Sequence, residues 1–190
     1  MTIDVGTEAI DRPDKMDVPT FVVKDNPANA TGIITQVLIY SRGEFALEDL
    51  EVASFSASGD DLTTRESVSL ASQPVGLNTY NAPADFSPFE IRVGDYIGIY
   101  FTLGQIECTD SGAGVWQIIG DAIPCTSEAA TPIANRTISL YATGYQLGQI
   151  NIGDVFKDKQ NIKINVGDSW KQIVPGSKTN ISDVWKDILY

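Results

Sequence analysis

Histidine is absent from the 190-residue chain. Its absence removes every Ser-His and Cys-His nucleophile pair and every histidine metal ligand. There is no Gly-x-Ser-x-Gly elbow and no Gly-x-x-x-x-Gly-Lys phosphate loop, so a hydrolase built on this sequence would have carboxylates alone. Cysteine is scarce: Cys108 and Cys125 are the only two, too few for the usual structural zinc site. Basic residues are also few, 13 against 25 acidic ones, for a formal charge of −12. Such a chain carries no electrostatic footprint for nucleic acid or anionic lipid. No stretch approaches the roughly 20 apolar residues of a membrane helix. The opening residues, Met1 to Glu8, have neither the basic nor the apolar region of a signal peptide. These absences predict synthesis in a cytoplasm without an export signal, no membrane insertion, no nucleic-acid partner, no cofactor and no catalytic residue set. Under that expectation the Asn-x-Ser/Thr sequences at Asn29, Asn135 and Asn180 are chance matches.

A hydrophobic content of 43% is enough for a real core. Residues 1–20 are rich in Asp and Pro and read as an extended N-terminal arm. Beyond them, Phe21-Val-Val23, Gly32 to Tyr40, Leu50 to Ser56, Thr63 to Leu70 and Tyr96 to Phe101 are dense in β-branched and aromatic residues or alternate apolar with polar. Gly104 to Cys108 and Val115 to Ile119 flank Ser111-Gly-Ala-Gly114 and read as a hairpin, and Ile138 to Gly144 as a last strand. Between them, Gln73 to Ala84 reads as a long loop containing Tyr80, and Glu44 to Leu50 as one or two helical turns. Short strands at spacings near ten residues predict an all-β fold: an antiparallel β-sandwich, jelly-roll-like, over 21–147.

The remaining residues, 148–190, repeat one phrase three times: Ile150-Asn-Ile-Gly-Asp-Val-Phe-Lys157, Ile164-Asn-Val-Gly-Asp-Ser-Trp-Lys171 and Asn180-Ile-Ser-Asp-Val-Trp-Lys186. The aspartates Asp154, Asp168 and Asp183 are 14 and then 15 residues apart, a hairpin-sized period. Gly-Asp suits a two-residue β-turn, and Ser182 replaces the glycine in the third unit. Phe156, Trp170 and Trp185 share one slot, and Ile150, Ile152, Ile164, Val166 and Val184 supply apolar positions. A lone hairpin is marginal in water. These residues are therefore candidate interface positions, against the chain's own sandwich, another hairpin or a neighbouring subunit. The predicted array of short hairpins is an assembly or anchoring tail.

Other constellations have two readings each. Cys108 and Cys125, 17 residues apart, could close a disulfide worth about 3 kcal/mol in the loop-entropy picture, or stay reduced. Asp60 with Asp61, and Glu48 with Asp49, could serve as a glycosidase pair or, in the Ser58 to Asp61 loop, hold Ca²⁺; solvated loop acids are the plainer reading. Tyr80, Tyr96, Tyr100, Trp116 and Tyr141 could form a platform for sugar rings or fill the core. Trp116, in a Gly-flanked hairpin, and Tyr80, in a loop, are the candidate ligand contacts.

The succession Gly32 to Tyr40, Val93-Gly-Asp-Tyr-Ile-Gly-Ile-Tyr-Phe101, Gly114-Val-Trp116 with Gly120-Asp-Ala-Ile-Pro-Cys125, and Ile138 to Gly144 resembles a β-rich structural domain of tailed-phage and uncultured-virus virion proteins. The Ile-Asn-Ile-Gly-Asp-x-Trp-Lys phrases look like terminal repeats attached to such proteins. The resemblance implies a non-enzymatic virion component on the particle surface: a head decoration, head fibre or tail appendage. Its partners would be other virion proteins and further copies of itself. A carbohydrate-binding adhesin that recognises a host surface glycan is the alternative.

Overall fold

The computed structural model describes residues 2–17, 20–146, 149–152, 155–158, 163–166, 169–172, 178–181 and 184–187, and from 149 onward the description is of strand pairing. Every regular element among them is a β-strand. The chain divides into two units, Met1–Gln146 and Leu147–Tyr190.

The first unit is an antiparallel β-sandwich of an eight-stranded and a seven-stranded sheet. Its strands are β1 (Thr2–Gly6), β2 (Asp14–Asp17), β3 (Thr20–Val23), β4 (Gly32–Arg42), β5 (Leu50–Ser58), β6 (Asp61–Leu70), β7 (Gly76–Asn81), β8 (Phe89–Ile91), β9 (Tyr96–Tyr100), β10 (Gln105–Thr109), β11 (Val115–Ile118), β12 (Glu128–Ala129), β13 (Thr131–Ile133), β14 (Thr137–Ile138) and β15 (Leu140–Gln146). The eight-stranded sheet runs β1-β15-β4-β10-β14, with β2 on β10 and both β7 and β8 on β4. The seven-stranded sheet runs β12-β6-β5-β9-β3-β11-β13. Their inner faces meet in one core. Ile3, Val5, Ile34, Val37, Ile39, Ile106, Leu140 and Ala142 face Phe21, Val23, Val52, Ile97, Ile99 and Val115. All of these are essentially without solvent contact, and each large one contributes about 1.5–3 kcal/mol by leaving water.

The seven-stranded sheet is buried on its second face as well. Val22, Ala53, Phe55, Trp116 and Ile118 project outward there and are covered by Ala122, Ile123 and Ala130 from the irregular segment after β11. Gly98 makes this possible: a Cβ at that position would stand 2.6 Å from the Phe55 ring and 2.7 Å from Val22.

The strand pairing corrects the sequence reading in four places. Residues 1–20 are not an arm outside the sandwich. β1 pairs with β15 from Thr2↔Tyr145 to Gly6↔Tyr141, and β2 pairs with β10. The link between them is pinned by buried Glu107, which accepts the Arg12 amide at 2.8 Å, while Arg12 Nε donates to Ser139 Oγ at 2.8 Å. Secondly, β10 and β11 do not form a hairpin. The Ser111 to Gly114 turn carries the chain from one sheet to the other, where β11 pairs with β3 and β13. Thirdly, Tyr80 lies in a strand, β7, opposite Val37 of β4. Fourthly, Glu44 to Leu50 forms bends and one bridge, Glu48↔Leu103, with no helical turn.

Among its described residues the second unit contains three two-stranded antiparallel sheets. They are β16 (Gln149–Ile152) with β17 (Val155–Asp158), β18 (Lys163–Val166) with β19 (Ser169–Gln172), and β20 (Lys178–Ile181) with β21 (Val184–Asp187).

Candidate functional site

The three hairpins have one register. Each closes on a pair that brackets two residues: Ile152↔Val155, Val166↔Ser169 and Ile181↔Val184. Spacing of this kind is what a two-residue connection requires. One step further from the turn an asparagine pairs with the recurring aromatic: Asn151↔Phe156, Asn165↔Trp170 and Asn180↔Trp185. The next pairs place Ile150, Ile164 and Thr179 opposite Lys157, Lys171 and Lys186. Because neighbouring ladder positions alternate, the aromatic slot and the Ile150–Ile152 positions are of opposite parity. The phrases alone group them as one interface set; the ladder separates them and sets an asparagine, at the same place in each phrase, opposite the aromatic. The Gly-Asp turns themselves, and the burial of Ile150, Ile152, Phe156, Ile164, Val166, Trp170, Val184 and Trp185, lie outside the described residues.

Neither proposed ligand contact is on the surface. Trp116 is 5% exposed, packed edge-on against Tyr96 with ring centroids 4.9 Å apart and beneath Lys24 Nζ at 4.7 Å from the ring centre. Its Nε1 donates to Asp60 Oδ1 at 2.7 Å. The segment that covers the outer face of the seven-stranded sheet encloses it, which the glycines around β11 do not foretell. Tyr80 is 2% exposed, and its hydroxyl donates to the Ala71 carbonyl at 3.1 Å. Burial pushes the phenol up to about 12, with Asp85 adding to the shift. Tyr96 and Tyr100 are half-buried against the same outer cluster as Trp116.

Cys108 and Cys125 are both free. Cys108 is buried in the core between the sheets, and Cys125 packs against the outer cluster. The seven-stranded sheet thus stands between their two environments, which rules the disulfide reading out for this fold. Burial pushes the Cys108 thiol up, opposed by Arg136, whose Nη1 donates to Sγ at 3.4 Å. One member of each acid pair is engaged by a neighbouring side chain. Asp60 is held by Trp116, and Asp49 accepts the Thr102 hydroxyl at 2.8 Å. Among the described residues no three acidic or cysteine side chains converge as a metal-holding group.

No protein-family model, no curated protein and no solved structure matches the chain.

The chain's own surface therefore carries the reading. An open groove of about 410 Å³ lies beside the end of β4, with Phe45 and Leu103 set among Lys15, Asp17, Arg42 and Glu44. Its charges are mixed, and Asp17 is engaged by the Gln105 side-chain amide. The deeper ionic contacts serve the fold: Arg42 reaches buried Glu107 at 3.5 Å and donates to the carbonyls of Arg12 and Pro13 at 2.7 and 2.9 Å. The repeated register in the second unit is the arrangement that local stability does not explain, since each two-stranded ladder is marginal in isolation.

Proposed function

We propose that this protein is a non-enzymatic structural component of a virus particle, a head decoration, head fibre or tail appendage. In this reading the sandwich is the displayed body and the three hairpins attach it to other virion proteins or to further copies of itself. The observation that carries the proposal is the common register of the hairpins, with Asn151↔Phe156, Asn165↔Trp170 and Asn180↔Trp185 at equivalent positions. Three equal, individually marginal ladders suit a contact made several times over against a repetitive surface. The resemblance of Gly32 to Tyr40, Val93 to Phe101 and the terminal phrases to virion proteins supports the setting.

Mass spectrometry of particles purified from a culture carrying this coding sequence is the first test, and absence from the particles overturns the reading. Attachment is tested with a chain ending at Gln146. Loss of incorporation, with the sandwich still folded, is expected; undiminished incorporation removes the anchoring role.

A further inference from the structure

The solvent-facing side of the eight-stranded sheet holds another groove, and its lining differs in chemistry from that of the groove beside the end of β4. It measures about 330 Å³, at the lower end of the range for small-molecule sites. It is lined chiefly by Thr2, Thr35, Gln36, Asn81, Thr143 and Tyr145. None of its lining residues is charged, although the chain carries −12. Two other grooves among the described residues are lined by ions: Lys15, Asp17, Arg42 and Glu44 in one, Glu48, Asp49 and Glu51 in the other.

A β-bulge builds this groove. Across β15, Thr143 pairs with Gln36 and Gly144 with Ile34, so Thr35 is an extra residue in β4. Ile34 and Val37 both face the core, and Thr35 and Gln36 consequently project together on the outer side. The bulge coincides with a change of neighbour on the other flank of β4: Ile34 pairs with Phe89 of β8 and Gln36 with Asn81 of β7. There the chain turns away from the sheet, held by the Ala82 amide donating to the Thr35 carbonyl at 2.9 Å. Gly144 brings β15 close on the opposite side, since a Cβ there would collide with the Ile33 carbonyl oxygen. The walls thus belong to paired strands and are set before any ligand arrives.

The polar groups offer both halves of a hydrogen bond. Gln36 Nε2 donates to Asn81 Oδ1 at 2.8 Å. Among the described residues the pair then has an amide oxygen and an amide NH₂ without a protein partner, and exchanging O and N in both groups leaves the same pair of capacities. Three threonine hydroxyls, which donate and accept, stand around it. At the lip Tyr145 is 58% exposed and presents an apolar ring with a polar tip.

We propose that this groove is a binding site for a neutral sugar, the terminal residues of an uncharged glycan. Sugar hydroxyls both donate and accept, which fits amides and hydroxyls. The C–H face of a pyranose fits the exposed Tyr145 ring. An anionic sugar would meet the negative field of the whole chain with no cation in the groove, and a cationic ligand would find no carboxylate in the lining. This site is independent of the assembly role of the hairpins.

The test is an array of neutral, sialylated and sulfated glycans probed with the full chain. It is followed by titration of methyl glycosides of galactose, glucose, mannose and N-acetylglucosamine into ¹⁵N-labelled protein. Binding confined to neutral glycans is expected, with the amides of Thr143, Gly144 and Tyr145 shifting. Tyr145→Ala and Asn81→Ala should each weaken binding about tenfold or more, while Phe45→Ala in the charged groove leaves it unchanged. Tyr145 and Asn81 are both exposed, so folding of either variant is checked by its melting curve and one can stand in for the other. Four results overturn the proposal: no neutral glycan binds, charged glycans are preferred, binding is indifferent to both substitutions, or Tyr145→Ala changes the oligomeric mass with no sugar bound. The last would assign the face to a second copy of the chain.

Discussion

Arg65 of β6 grips Asp95 with two parallel hydrogen bonds, Nε to Oδ2 at 2.5 Å and Nη2 to Oδ1 at 2.9 Å. Asp95 is 3% exposed and also accepts the Arg92 amide at 2.8 Å, so one carboxylate fixes the turn into β9 and ties it to the second strand of the β5–β6 pair. The Asp95 hydrogen bond raises the guanidinium pKa further, so Arg65 keeps its charge. Asp95→Ala takes from half-buried Arg65 its hydrogen-bonded counter-charge, leaving only the more distant Glu90, and removes the acceptor from the Arg92 amide. A loss of about 3 kcal/mol is expected, the low end for a broken buried pair because Arg65 keeps some water contact. Urea unfolding followed by circular dichroism measures it, and a change below about 1 kcal/mol would show the pair to be a surface-type contact.

Trp116 contributes to the outer cluster by bulk and by its bond to Asp60. Trp116→Ala should cost about 3–5 kcal/mol, as large aromatic truncations do. Trp116→Phe keeps most of the ring and gives up the charge-assisted bond, an expected loss of about 1.5–3 kcal/mol. Asp60→Asn should fall below Trp116→Phe. Equal effects of the Ala and Phe variants in the same denaturation series would contradict the burial.

Tyr80 links stability to alkaline pH. Its folded phenol titrates near 12, above the unfolded value of about 10, so the neutral form is favoured by folding. The contribution is fully present below about pH 10 and is lost as pH rises through about 12, with an amplitude on the order of 2 kcal/mol. Tyr80→Phe should flatten that part of the alkaline limb in urea midpoints taken across the interval. An identical limb would mean that another phenol, such as Tyr141, governs it.

The two thiols should behave differently. Cys125, partly exposed, is expected to react with a thiol reagent in the native protein, and Cys108 only after unfolding, because it is buried and its thiolate is disfavoured. Counting reacted thiols before and after denaturant decides it. Oxidising conditions should produce no intramolecular bridge, as judged by mass.

The strands that could be read in advance were those whose chemistry is local. The β-branched run of Gly32 to Tyr40 and the alternation of Leu50 to Ser56 with Thr63 to Leu70 specify themselves, and the Gly59-Asp60 turn between the latter two keeps them paired. Strands whose partners are far away in the chain were harder. Gln105 to Thr109 and Val115 to Ile118 look like a hairpin from the turn between them, yet their neighbours are β2, β4 and β14 on one side and β3 and β13 on the other. Leu77-Asn-Thr-Tyr-Asn81 alternates, but Pro74 and Pro83 on either side gave it the look of a loop. The burial of Trp116 is not legible in its neighbours, because an irregular segment with no periodicity is what covers it. The hairpin phase was legible because the phrase repeats. The neutral groove was not, since Thr35 and Gln36 face the same way only through a bulge that no spacing announces.

Each hairpin closes its ladder inside its own phrase, Gln149 to Asp158, Lys163 to Gln172 and Lys178 to Asp187. Removing one whole phrase therefore disturbs no pairing in the other two. Under the attachment reading the tail has a valency of three, and linked contacts multiply in strength where separate ones only add. Under that reading a chain with one phrase fewer would hold on more briefly, and residence time would be set by the number of phrases.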